Sequence, residues 1–186
     1  MEYERIAKEL SRIMMSFFKE KEQLLEKTIG RIVKRLNAGG KMLVFGNGGS
    51  ASQSQHFSSE LVNTFYQERP ALAALSLCTD TSALTSIAND SSFEYVFSRQ
   101  VEAVGREGDI VLGLSTSGDS PNVIQAFKTA KKMGMLTVAL TGEGGGAVGN
   151  ITDILLDVPS KDTPRIQEVH LFLLHALAQE IEKRMF

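Results

Sequence analysis

Two serine- and glycine-rich loops, each directly behind a short apolar run, constrain this chain more than any other feature. Gly46-Asn47-Gly48-Gly49-Ser50 follows Met42-Leu43-Val44-Phe45. Ser115-Thr116-Ser117-Gly118-Asp119-Ser120 follows Ile110-Val111-Leu112-Gly113-Leu114. Each loop stands where a strand ends and a helix begins. The first backbone N–H groups of a helix lack partners within it, and the helix dipole favours an anion there. Two such loops in a chain of 186 residues point to a phosphorylated small molecule.

The rest of the chain supplies a scaffold for them. Strand-like apolar runs lie at 41–45, 71–78, 109–114, 136–140 and 153–158. Helical periodicity lies near 50–65, 80–89, 93–104, 120–134 and 164–185. Short apolar strands alternating with helices predict a parallel sheet covered on both faces, with ligands bound beyond the carboxyl ends of the strands. Residues 2–38 repeat apolar side chains at helical spacing, from Ile6, Leu10 and Ile13 through Ile32 and Leu36. Lys19-Glu20-Lys21-Glu22 and Gly30 leave one helix or two open. Gly144-Gly145-Gly146 reads as a mobile turn.

Each loop has a plainer reading. Ser120 suits an N-cap and Pro121 the first helical position, so the second loop could be a turn and a cap. A cap needs one hydroxyl, whereas Ser115–Ser120 carries three serines and a threonine. Asp119 must face away from a bound anion or be paired. In the first loop, Gly46, Gly48 and Ala51 match a dinucleotide-binding pattern, but the acid it requires about twenty residues on is missing. Arg69-Pro70-Ala71-Leu72 stands in that region instead.

Possible chemistry follows the first loop. His56 and Glu60 are four apart and share a helical face, as a metal or acid–base pair would; an ordinary capping or surface pair has the same spacing. His175 follows a very apolar stretch and could be a core or interface residue. Gln167 and His175 are separated by roughly 12 Å along a helix axis. Either one of them binds a metal, or the site combines residues of different subunits.

Composition excludes several classes. Lys and Arg are scattered and the formal net charge is -2, which removes the electrostatic case for nucleic acid or an anionic membrane. A single cysteine, Cys78, fits a reducing compartment. The N-terminus has no apolar core of a signal peptide, and no apolar run approaches the roughly eighteen residues of a membrane helix. With 42% hydrophobic residues, four prolines and no low-complexity tract, a single cytoplasmic domain over 1–186 is expected.

Taken together, FGNGGSASQSQHFSSEL, IAND, SRQVEAVGREGDIVLGLSTSGDSPNVI and PRIQEVHLFLLH resemble the sugar isomerase (SIS) domain family, and within it the sedoheptulose 7-phosphate isomerases. The resemblance runs through nearly the whole chain. It implies a doubly wound, flavodoxin-like α/β fold with a five-stranded parallel sheet, an N-terminal helical region used in oligomer packing and a long C-terminal helix. It also implies a homotetramer with active sites between subunits. The implied reaction converts sedoheptulose 7-phosphate to D-glycero-D-manno-heptose 7-phosphate, which begins the supply of nucleotide-activated heptose for lipopolysaccharide or capsule. By matching motifs, Ser50, Ser115, Thr116, Ser117 and Ser120 would hold phosphate, with Asn47, Gly48 and Gly49 shaping the loop. Asn89 and Asp90 would bind sugar hydroxyls, and Glu60 and Gln167 would also touch substrate. His56, Glu60, Gln167 and His175 match the ligands of one Zn²⁺ per subunit. Glu60 and His175 match the acid–base pair. Gln53 stands where many members have Asp, and Asp119 replaces a commoner Asn. Two rivals share parts of these motifs: SIS proteins that bind the replication initiator without catalysis, and sugar-phosphate sensors. The former typically lack the acid–base pair, and no DNA-binding element accompanies the chain to favour the latter.

Overall fold

The apolar runs form five parallel strands, and burial on both faces explains why they read as continuous rather than alternating. The structure, a computed structural model, describes residues 1–186. The strands are β1 (Met42–Gly46), β2 (Ala74–Ser76), β3 (Ile110–Ser115), β4 (Leu136–Thr141) and β5 (Ile154–Asp157), in the order β2-β1-β3-β4-β5. All neighbouring pairs are parallel, and β1, β3 and β4 are buried at every position. The helices are α1 (Glu2–Asn37), α2 (Gly49–Val62), α3 (Thr81–Asp90), α4 (Ser98–Val104), α5 (Pro121–Lys132), α6 (Gly146–Gly149) and α7 (Thr163–Met185). A 3-10 turn, Phe93–Tyr95, separates α3 from α4.

Alternate strand residues still serve opposite layers. Met42, Val44, Ile110 and Leu112 join α1, α2 and α7 in one core. Leu43, Phe45 and Val111 join α4 and α5 in the other. The chain therefore winds on both sides of the sheet, as expected. After β1 it builds β2 on one flank, then returns to build β3, β4 and β5 on the other. This reversal opens a crevice at the carboxyl ends of β1 and β3. Both serine–glycine loops leave the sheet there, and Gly46 is in register with Leu114.

Some expectations shift. Residues 2–37 form one helix, about 54 Å long at the usual rise. Its buried positions begin at Phe17; ahead of it, Tyr3 and Met15 are 84% and 70% exposed. The second strand is only three residues long. The helical stretch at 93–104 is divided into the 3-10 turn, where the Ser92 hydroxyl accepts Glu94 N–H, and α4. Gly144-Gly145-Gly146 is a turn, but not one without a positioned partner. It leads into α6, where the Val148 N–H donates to Gly118 C=O at 3.0 Å and ties the segment to the second loop.

Candidate active site

The site runs along the seam between α2 and α7. One end, the candidate anion end, lies where α2 and α5 begin. Gly48, at φ +56, precedes α2, so no side chain caps that helix. Gly49 lies against the Gln167 amide: a Cβ there would be 2.7 Å from Gln167 Nε2, so a side chain would displace that amide. Ser50, buried, opens the first turn.

In the second loop, Ser120 occupies the N-cap position of α5 without a side-chain capping bond. Its Oγ lies 3.1 Å from Ser115 Oγ instead. Ser115 Oγ also accepts Gly118 N–H, and Ser117 Oγ accepts Asp119 N–H, both at 3.1 Å. Reading Ser120 as a conventional cap is therefore incorrect; its hydroxyl is turned toward the neighbouring serine. The Thr116 backbone carbonyl accepts Gly142 N–H at 3.0 Å. Asp119 is paired, as its charge demands: Oδ1 accepts Ala147 N–H at 2.8 Å at the start of α6.

Asn47 and Asn122 join the two loops. Each donates its amide to the other's carbonyl oxygen at 2.9 Å. Asn122 is buried and its Oδ1 also accepts Val123 N–H. Nothing in the sequence singled out Asn122. An asparagine just inside a helix has no signal of its own; only the return of β3 beside β1 gives it this partner.

Two helical turns along α2 lies the second end. His56 Nε2 is 2.7 Å from His175 Nε2 and 3.3 Å from Glu60 Oε1. Ligand atoms of these three residues all lie within 4.8 Å of one another. Helices α2 and α7 run side by side, so Gln53 Nε2 donates to the Gln167 carbonyl at 2.7 Å near the anion end, while His175 meets His56 further on. One chain thus supplies His56, Glu60 and His175. The eight-residue separation of Gln167 and His175 does not force His175 to come from another subunit, because the two residues face successive turns of α2. Gln167 is not drawn into the trio in this conformation; its amide lies against Gly49.

Two imidazoles and a carboxylate are a donor set suited to zinc, whose ligand atoms sit about 2.0–2.2 Å from the ion and hence roughly 3.3 Å apart. Two of the observed spacings, 2.7 and 3.3 Å, are already near that, and all three ligand atoms lie within 4.8 Å of one another. The residues fit the metal.

The third histidine has another job. His170 is fully buried on α7, with Nε2 3.1 Å from the Thr141 carbonyl at the end of β4. Burial pushes its pKa down to about 4 despite that hydrogen bond, so it is neutral near neutrality and anchors α7 to the sheet. Asn89 and Asp90 lie exposed at the end of α3, and their side chains bond each other, Asn89 Nδ2 to Asp90 Oδ1 at 2.8 Å. No residue of α3 is buried. A cavity of about 990 Å³ lies elsewhere, at the amino ends of the strands among Arg31, Lys34, Arg35, Lys41 and Arg106. Its cations stand beside the carboxyl ends of α1, α4 and α5, where positive charge is favoured.

Fold and site define a class, and comparison agrees: residues 6–142 match the SIS domain model, and the chain belongs to that family. Within it the chain groups with the phosphoheptose isomerases. It is 51% identical to the phosphoheptose isomerase of Desulfovibrio desulfuricans over 180 residues, covering 97% of this chain and 86% of that protein. It is 55% identical to that of Campylobacter jejuni over 148 residues, covering 80% of each. Among solved structures, the phosphoheptose isomerase of Neisseria gonorrhoeae superposes with a TM-score of 0.91 at 42% identity, covering 98% of this chain and 100% of that one.

Proposed function

We infer that this protein is a ketose–aldose isomerase that converts sedoheptulose 7-phosphate to D-glycero-D-manno-heptose 7-phosphate in heptose biosynthesis. The observation that carries this reading, beside the kinship, is the span between the two ends of the site. Gly49 to His56 covers about 10 Å of helix. An extended seven-carbon chain places C2 about 9 Å from a phosphorus on C7 at ordinary bond lengths. A phosphate held at the serine loops therefore sets C1 and C2 beside His56, Glu60 and His175.

The reaction moves a carbonyl from C2 to C1. Glu60 is the base that takes a C1 proton and returns it to C2 through an enediol. One Glu60 oxygen faces His56, and no hydrogen bond within the chain engages the other. His175 moves the second proton, giving it to O2 and receiving one from O1. The Ser115, Thr116, Ser117 and Ser120 loop, with Ser50 and the glycine backbone at Gly48 and Gly49, holds the phosphate and fixes the reacting carbons by anchoring the far end. His56, Glu60 and His175 would hold Zn²⁺, with Gln167 joining by turning its amide from Gly49. When bound, the ion polarises the carbonyl and stabilises enediolate charge.

Residues 1–186 are read as one SIS domain acting in the cytoplasm; no helix is long and apolar enough to cross a membrane. We read the assembly as a homotetramer. The exposed apolar residues of α1 and the unburied α3 favour packing against other copies. Asn89 and Asp90, at the end of that helix, would bind sugar hydroxyls in a site completed between subunits. The test is direct: incubation with sedoheptulose 7-phosphate should yield the aldose phosphate. Binding without turnover by zinc-loaded protein would favour a sensor.

A further inference from the structure

A buried carboxylate at the far end of α7 touches the surroundings of both Glu60 and His175. Glu182 lies two turns beyond His175 and its side chain is 2% exposed. Its Oε1 accepts Phe65 N–H at 3.0 Å, and its Oε2 accepts Tyr66 and Gln67 N–H at 2.8 and 3.2 Å. Three consecutive amides of the segment after α2 therefore fold around one carboxylate. Arg69, 1% exposed, completes the cluster by donating Nε to Glu182 Oε1 at 2.7 Å.

Both contacts lead to the reacting groups. Arg69 Nη2 donates to the Glu60 carbonyl at 2.8 Å, and Nη1 donates to the Leu61 carbonyl at 2.9 Å. The guanidinium thus closes the carboxyl end of α2 at the residue that carries the base. Phe65, held by its N–H, places its ring 5.9 Å from the ring of His175. A buried ion pair regains its desolvation only when its hydrogen bonds are made, and apolar replacements are often as stable. Stability alone is therefore a weak reason for this pair.

We propose that Glu182 is a positioning residue: through Arg69 it fixes Glu60, and through Phe65 it fixes the ring of His175, setting the α2–α7 geometry at the chemical end of the site. The proposal rests on Glu60 and His175 being the acid–base pair. Direct variants of those two residues test that reading separately. The phosphate loops lie at the opposite end of the seam, so Glu182 governs turnover and metal affinity rather than substrate affinity.

The test compares Glu182→Gln, Arg69→Gln and Phe65→Leu with Val101→Ala, a core change in the other layer that serves as a stability control. Misplacement of this kind lowers kcat by about 10- to 100-fold, and loss of groups that orient metal ligands weakens metal binding by a similar factor. We expect Glu182→Gln to lower kcat and Zn²⁺ affinity by at least about tenfold, with KM for sedoheptulose 7-phosphate within about twofold. Zinc affinity is read by competition with a chromogenic chelator, apart from activity. Val101→Ala at comparable thermal stability should keep wild-type kcat and zinc affinity. If Glu182→Gln does not fold, Phe65→Leu carries the test, with the same split at smaller size. Wild-type kcat and zinc affinity in a folded Glu182→Gln or Phe65→Leu variant, or equal losses in Val101→Ala, would overturn the proposal.

Discussion

The two ends of the α2–α7 seam are built on different principles. The anion end uses backbone, glycine and short hydroxyl side chains that follow directly from strand–loop–helix junctions. The chemical end uses three long side chains, one of them 119 residues away from its partner along the chain. At the anion end the second loop is shaped largely by local bonds, with Ser115 and Ser117 accepting backbone N–H groups within two or three residues. At the chemical end nothing is local except the His56–Glu60 spacing. On the proposed function, a phosphate needs many modest donors, so the loops should tolerate the loss of one, whereas proton transfer needs one group at one place, so the other end should not.

The sharpest way to break this contrast is Glu60→Gln. It preserves shape and removes the base, and kcat should fall by at least ~10²-fold with KM little changed. A folded variant with near wild-type turnover would remove Glu60 from the chemistry.

The converse is expected of Ser117→Ala combined with Ser120→Ala. Hydrogen bonds to a charged group contribute about 1.5–3 kcal/mol each, so KM or the calorimetric Kd should rise by about tenfold or more. Thermal stability should change less, since Ser120 makes no capping bond and Ser117 accepts only one local N–H. Unchanged substrate affinity would return the loop to a purely structural role.

A third measurement concerns α7, which serves both ends. His170 is neutral in the fold because burial lowers its pKa to about 4. The unfolded chain protonates it near the ordinary value of about 6.5. Between these values the unfolded state binds the extra proton, so stability should fall as pH drops, by about 1.4 kcal/mol per pH unit. Glu182 acts lower. Burial raises its pKa, but the Tyr66 and Phe65 amides and Arg69 outweigh this and hold it below the usual carboxylate value. Its contribution is complete above the unfolded carboxylate range and is lost as pH falls through the folded pKa. In urea titrations between pH 6.5 and 5, His170→Gln should flatten the slope by the His170 contribution. An unchanged slope would mean that another group titrates there.

The smallest expected effect is a null. Exchange of subunits between Glu60→Gln and His175→Ala proteins should restore no activity, because one chain supplies both residues. Recovery in mixed oligomers confirmed by mass would show the pair meeting across an interface.

Much of this was legible in the sequence for a definite reason. Both loops, the central strands, α5 and α7 follow from local signals: continuous apolar runs, glycine at turns, serine and proline at helix starts. Their boundaries moved by only a residue or two. The short edge strand β2 and the split after α3 were less legible, since three residues and a serine cap leave little periodicity. The Lys19–Glu22 and Gly30 ambiguity resolved to one helix because packing from Phe17 onward holds α1 continuous across them.

Composition and local pattern by themselves determined a parallel, doubly covered sheet with serine- and glycine-rich loops at its carboxyl edge. They also put His56 and Glu60 on one helical face. Tertiary structure alone decided what those two residues face. The side-by-side course of α2 and α7 brings His175 to His56 and leaves Gln167 against Gly49. The return of β3 beside β1 pairs Asn47 with Asn122. The burial of Glu182 against Phe65, Tyr66, Gln67 and Arg69 could not be read from a glutamate in a charged helical tail. The reason is physical: a side chain's periodicity reports the face it occupies, but its partner depends on which distant element covers that face.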